Sequence, residues 1–266
     1  MFINIEYALI SVIIVSLISL IVIIPLLIKK EISKEFLIIL LSLSVGVLLS
    51  TVIFIFLPEI IENLYLKTET EEAFEIMIKR AGIFILFGFL AMFILEKIVH
   101  FNHEKKFEKE GYGHGHAYHI APMNLIGDGI HNFIDGLVIA GSYAINITLG
   151  ISATISIIFH EIPQEISDFG VLLYSGMSKK KALLFNFLSA TSAIIGTLTG
   201  YILIGKIEGF TDFIIPFSAG SFIYIAAANL IPQLHRQCKL KETILHISAI
   251  LIGIGIIYFV PHVHGH

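Results

Sequence analysis

The chain predicts an all-α, polytopic membrane protein with eight transmembrane helices. Three observations lead there. Of its 266 residues, 56% are hydrophobic and only 14% are charged, against about a quarter charged in soluble domains; mean hydropathy is +0.89. Apolar runs long enough to cross a bilayer as helices recur at 7–28, 36–58, 81–99, 121–145, 148–175, 182–205, 210–234 and 243–260. The basic residues fall into alternate connections, as the asymmetry of cytoplasmic loops requires. The chain reads as one transmembrane domain over 1–266.

Taken in order, the first run follows the leader MFINIEY, which has no Lys or Arg and carries Glu6. The run ends in Lys29 and Lys30 without a small-residue cleavage site, so it reads as a helix of the mature protein. The second ends at Leu57-Pro58-Glu59. The connection 59–80 is acidic and reads as a short helix or a solvated loop. After the third run, FNHEKKFEKEGYGHGHAYHI over 101–120 is charged and rich in Gly and His, and reads as a mobile cytoplasmic loop. The fifth run is long, and Pro163 predicts a bend or tilt there. None of the runs is short enough for a barrel strand.

Thirteen of the 17 Lys and Arg residues lie in 29–35, 97–110, 175–181 and 235–242; the other four are Lys67, Lys79, Arg80 and Lys206. This places the first group in the cytoplasm and, with eight spans, both termini outside. The single Cys238 excludes a disulfide framework. The scattered basic residues give no sign of nucleic-acid binding. Small size and the lack of a targeting segment point to a prokaryotic plasma membrane.

The chemistry sits in two apolar runs. In the fourth, Asn124, Asp128, His131, Asn132 and Asp135 are spaced to share one helical face; in the fifth, His160, Glu161, Gln164, Glu165 and Asp168 do the same. Ionisable groups at membrane depth are costly and mark function. Imidazole with carboxylate suits Zn²⁺, and also Fe²⁺, Mn²⁺ and Cd²⁺. Pro163 deprives the Phe159 carbonyl of its helical partner, a loosened turn beside His160. Such polar residues also serve as hydrogen-bonding glue between helices, but ten of them phased on two neighbouring runs point to a cavity. The word beginning His160-Glu161 brings to mind an HExxH metalloprotease, but position 164 is Gln and a Pro lies inside the word. A metal-binding protein without transport is the other alternative.

NLIGDGIHNFIDGL (124–137) and HEIPQEISDF (160–169) resemble the fourth and fifth helices of the ZIP family of zinc and iron importers. The resemblance extends to Leu57-Pro58-Glu59, NFLSA (186–190) and AGSFIYIA (219–226), and is nearest the subfamily with a HEIPHE word. It implies a 3+2+3 ZIP-like bundle, often dimeric, that imports divalent metal and has no enzymatic activity. It implies that His131, Asp135, His160 and Gln164 line a main site. Asn132 and Glu161, sharing Asp135, would line a second position. The metal would leave past Asp128 and the histidine loop. With no ATP-binding motif, a metal gradient or coupled ion would drive it. Gln164, Ala193, Asn229 and Gln233 stand where relatives carry more acidic or histidine ligands, which lowers negative charge along the path. His103, His114, His116 and His119 would chelate metal at the cytoplasmic exit, and His262, His264 and His266 at the outer entrance.

Overall fold

The computed structural model describes residues 4–28, 34–107, 117–174, 176–234 and 240–259. Apart from short turns these residues are helical, and no strand occurs among them. The helices are α1 (Ile5–Ile28), α2 (Lys34–Thr51), α3 (Leu57–Lys67), α4 (Glu71–Phe107), α5 (Ala117–Ile145), α6 (Ile147–Tyr174), α7 (Lys179–Ala190), α8 (Ser192–Lys206), α9 (Phe210–Tyr224), α10 (Ile231–Leu234) and α11 (Leu240–Tyr258). A π-helical turn, Val52–Phe56, joins α2 to α3, and a second, Ile225–Leu230, joins α9 to α10. Five stretches among the described residues are long and apolar enough to cross a membrane: Ile39–Lys67, Glu71–Ile98, Lys179–Lys206, Phe210–Ala228 and Leu240–Tyr258. The chain is thus an all-α polytopic membrane protein. The polar words of α5 and α6 lower the hydropathy of those two helices.

At one connection the structure decides between the two alternatives, and at one boundary it differs from expectation. The acidic connection 59–80 is helical except at Thr68–Thr70. The Thr70 hydroxyl accepts the Ala73 amide at 3.2 Å, and Glu71 and Glu72 occupy the first turn of α4, where they complement the helix dipole. Ile60 and Leu64 are buried, so α3 packs while its acidic residues stay at the surface. At the other end, α4 continues to Phe107, well into the expected loop. Residues 108–116, with His114 and His116, lie outside the described residues, as do His262, His264 and His266.

Close helix packing rests on small residues. Gly136 on α5 faces the Ala193 carbonyl on α8, and Gly196 on α8 faces the Phe133 carbonyl on α5. The same reciprocal arrangement joins α4 to α9 (Gly88 to Phe217, Gly220 to Ile85) and α2 to α11 (Gly46 to Ile250, Gly253 to Leu43). A Cβ at any of these positions would collide with backbone, so the helices approach to a distance only glycine permits. The α5–α8 pair is joined to α6 and α1, while α2 and α9 close against α6 and α5 from the other side. The polar words of α5 and α6 are enclosed between these two sets.

Candidate metal centre

The helical spacing brings Asp128, His131, Asn132 and Asp135 to one side of α5, and His160, Glu161 and Glu165 to the facing side of α6; all seven are buried. Four of these side chains converge. His131 Nε2 and His160 Nε2 are 3.2 Å apart. Asp135 Oδ2 lies 3.0 Å from His160 Nε2 and 3.7 Å from His131 Nε2. Glu161 Oε1 lies 3.4 Å from His131 Nε2 and 3.5 Å from His160 Nε2. Four donors placed tetrahedrally about 2.0–2.1 Å from a zinc ion are separated by about 3.3–3.4 Å. The measured separations bracket that value, so the donor set has the size and the mix of nitrogen and oxygen that a tetrahedral cation needs.

The surroundings orient the donors. His160 Nδ1 is 3.0 Å from the Ser156 carbonyl. A carbonyl only accepts, so Nδ1 carries the proton and Nε2 presents its lone pair to the cluster. Ser156 is hydrogen-bonded to Thr51 on α2. The Phe222 ring stands edge-on to His160 with centroids 5.6 Å apart, and Phe56, from the first π turn, backs Phe222 at 5.5 Å. The centre therefore has a dry aromatic wall on one side. The carbonyl of Phe159, which Pro163 leaves without its amide, accepts from Ser44 Oγ at 2.5 Å. With that acceptor satisfied, α6 runs through Pro163 as one helix, Ile147–Tyr174.

A second group lies one turn along both helices: Asp128, Glu161 and Glu165, with carboxylate oxygens within 4.8 Å of one another. Asn132 Nδ2 donates to Asp128 Oδ1 at 2.9 Å and Gln164 Nε2 to the same oxygen at 3.2 Å. Asn186 on α7 donates to Glu165 Oε2. Glu161 is 1% exposed, yet neither of its oxygens has a hydrogen-bond partner among the described residues. A buried carboxylate left in that state is costly unless a cation satisfies it, which is the chemistry of both groups.

The ZIP zinc transporter family model matches residues 3–120 and 104–260. The chain belongs to the ZIP family. Among similar proteins, the zinc transporter zipt-7.1 of Caenorhabditis briggsae is 37% identical over 169 residues, 59% of this chain and 43% of its own. Zinc transporter ZIP10 of Danio rerio is 36% identical over 154 residues, 55% of this chain and 18% of its own. Zinc transporter SLC39A7 of Rattus norvegicus is 34% identical over 147 residues, 53% and 31%. The chain thus spans less than half the length of these relatives.

Within this ZIP family member the structure divides the expected ligands in its own way. Glu161, expected beside Asn132 in a second position, stands with His131, Asp135 and His160 and is shared with Asp128 and Glu165. Gln164, expected in the main site, commits its amide nitrogen to Asp128. Asp168 is half-buried on α6 and belongs to neither group. Asn124 lies on α5, one turn before Asp128; its side chain lies outside the described residues, as do those of His103, His119, Asn229 and Gln233. Ala193 is fully buried against Gly136. The sequence reading assigned no role to Ser44, Phe222 or Asn186. The last two lie in AGSFIYIA and NFLSA, words quoted for resemblance alone, while Ser44 sits in an unremarkable apolar run.

Proposed function

We propose that this protein imports divalent metal into the cytosol through the His131, Asp135, His160 and Glu161 site, with Zn²⁺ as the principal cargo. The observation that carries this reading is the near-tetrahedral spacing of two imidazole nitrogens and two carboxylate oxygens, buried at the contact of α5 and α6. Family membership and the relatives' names support zinc as cargo. Fe²⁺, Mn²⁺ and Cd²⁺ also accept imidazole and carboxylate ligands and are secondary cargoes in this reading. Asn132, Gln164, Asp128 and Glu165 line the continuation of the path, and Asn124 and Asp168 follow one turn further along α5 and α6.

The whole chain acts as one transporter domain with eight crossings and both termini outside, as the Lys and Arg distribution indicates. The protein is not an enzyme: the Gln at 164 leaves the HExxH word without its second histidine. A homodimer in a prokaryotic plasma membrane completes the reading. The HEIPQE word supports a position nearest the HEIPHE subfamily.

The test is zinc uptake into proteoliposomes carrying a zinc-sensitive dye. Wild type is expected to load the vesicles, and His131→Ala and Asp135→Ala to abolish loading. A folded wild type that moves neither zinc, iron nor manganese overturns the transport reading and favours a metal-binding protein without flux.

A further inference from the structure

Helices α5 and α8 touch closely beside the metal centre but part further along. On α8, a Cβ at Gly196 would strike the Phe133 carbonyl and one at Gly200 would lie 2.8 Å from Ala140 Cβ, whereas one at Gly205 would meet nothing within 4 Å. The gap is a cavity of about 710 Å³, where the start of α1, the ends of α5 and α8 and the start of α9 meet. By the Lys and Arg distribution, this is the extracytoplasmic end of all four helices. We propose that the cavity binds an anionic phospholipid, its acyl chain laid between α1, α5 and α8 and its phosphate held by Lys206, with Tyr201 beside it.

The lining has the polarity of such a molecule. Asn4, Lys206 and Thr211 stand at helix ends and form a polar rim, while Ala8 and Ala140 lie four to five residues further in, about 6–8 Å along the helices. The Tyr143 hydroxyl is already bonded to Ser11 of α1 at 2.8 Å, so that residue brings no free polar group to the floor. An acyl chain needs none. An extended peptide would bring backbone N–H and C=O groups that such a floor leaves unpaired.

Charge selects the headgroup. Lys206 is the only charged residue on the lining. The other three basic residues assigned to this side are engaged: Lys67 with Asp212 at 2.6 Å, Lys79 with Glu75 at 2.5 Å, and Arg80 over the Phe84 ring at 5.3 Å. Lys206 has no partner among the described residues, and neither has the Tyr201 hydroxyl. An ammonium and a phenol both donate to a phosphate oxygen, and a lysine at the membrane surface attracts anionic lipid. The site stands whether or not the protein imports metal. Helix α5 carries His131 and Asp135, and α9 carries Phe222, so the bound lipid bears on two helices that shape the centre.

The test is native mass spectrometry of the full chain in neutral detergent, titrated with phosphatidylglycerol or with phosphatidylcholine of the same chains. Wild type is expected to bind one phosphatidylglycerol about fivefold more tightly than phosphatidylcholine, the scale of one lysine at a membrane surface. Lys206→Gln is expected to bring the two lipids level. Ala144→Phe, which sets a ring into the cavity from an exposed position on α5, is expected to weaken both. Lys79→Gln, away from the cavity, is expected to match wild type. All three variants are expected to melt as wild type does in lipid-free detergent, which shows that they are folded. Equal affinity of wild type for the two lipids overturns the proposal, and so does a preference that survives in Lys206→Gln. An equal loss in Lys79→Gln would assign the preference to general surface charge, and wild-type binding by Ala144→Phe would put the lipid elsewhere; either result also overturns it.

Discussion

Replacing Gly136 by alanine puts a methyl group where α8 already stands. The added carbon would lie 2.7 Å from the Thr197 amide nitrogen and 2.8 Å from the Ala193 carbonyl carbon, and closer still to the Ala193 oxygen. These are backbone atoms and cannot rotate away. Non-bonded carbon contacts settle at about 3.5–4.0 Å, so α5 and α8 must part by roughly 1 Å, at a cost of about 1–3 kcal/mol typical of overpacking. Asp135 is the preceding residue, and its carboxylate lies 3.0 Å from His160 Nε2. A metal centre tolerates displacement of about 0.5 Å, so zinc uptake should fall sharply along with the melting temperature. Gly82→Ala is the control. Nothing lies within 4 Å of its added carbon, and alanine in a helix is favoured over glycine by about 0.5–1 kcal/mol. Thermal unfolding in detergent and proteoliposome uptake read the two effects. If Gly136→Ala melts at or above wild type and moves zinc at the wild-type rate, the close packing of α5 on α8 does not support the centre.

Three further outcomes are expected. Ser44→Ala leaves the Phe159 carbonyl without its donor and should lower stability by about 1–3 kcal/mol, read by thermal unfolding; an unchanged melting point would mean the carbonyl finds another partner. Zinc at about 100 times its dissociation constant should stabilise wild type by about 2.7 kcal/mol and leave His160→Ala unshifted; equal shifts in both would place the tight zinc elsewhere. Phe222→Ala removes a side chain that is 1% exposed and should cost about 3–5 kcal/mol, whereas Phe222→Leu, which keeps most of the wall beside His160, should cost much less in the same assay.

The sequence disclosed those features that depend on spacing along one helix. The intervals from Asp128 to Asp135 and from His160 to Glu165 are helical, so each set had to share a face, and seven of the ten residues singled out are buried at the α5–α6 contact. What spacing cannot supply is the register between two helices. That register decides that Glu161 meets both imidazoles and that the Gln164 amide nitrogen meets Asp128. The residues that were missed come from afar: Ser44 is 115 positions from Phe159, and Phe222 packs on His160 from α9. The two π turns leave no mark in VIFIF or IAAANL, although π turns often occur beside functional sites. The acidic stretch 59–80 left helix and solvated loop both open, and it is the burial of Ile60 and Leu64 that makes it a helix.

Pro163 shows how one residue's cost is placed where it serves the centre. A proline inside a helix removes one hydrogen bond and usually kinks or breaks it. Here α6 stays whole because α2 supplies the replacement: the Ser44 hydroxyl, 2.8 Å from its own helix's Leu40 carbonyl, also lies within hydrogen-bonding distance of Phe159. Two turns further along α2, Thr51 bonds Ser156, the residue whose carbonyl fixes the His160 tautomer. Helix α2 contributes no donor atom to either cation group, yet two of its hydroxyls meet α6 just before the residues that do. An ordinary helix would have satisfied the Phe159 carbonyl internally and left the Thr51–Ser156 bond as the polar tie between α2 and this part of α6. The proline makes α6 depend on α2, and so ties the position of His160 and Glu161 to the opposite set of helices. Any movement of the ligand-bearing helices relative to α2 must therefore break the Ser44 and Thr51 contacts together, immediately beside the bound metal.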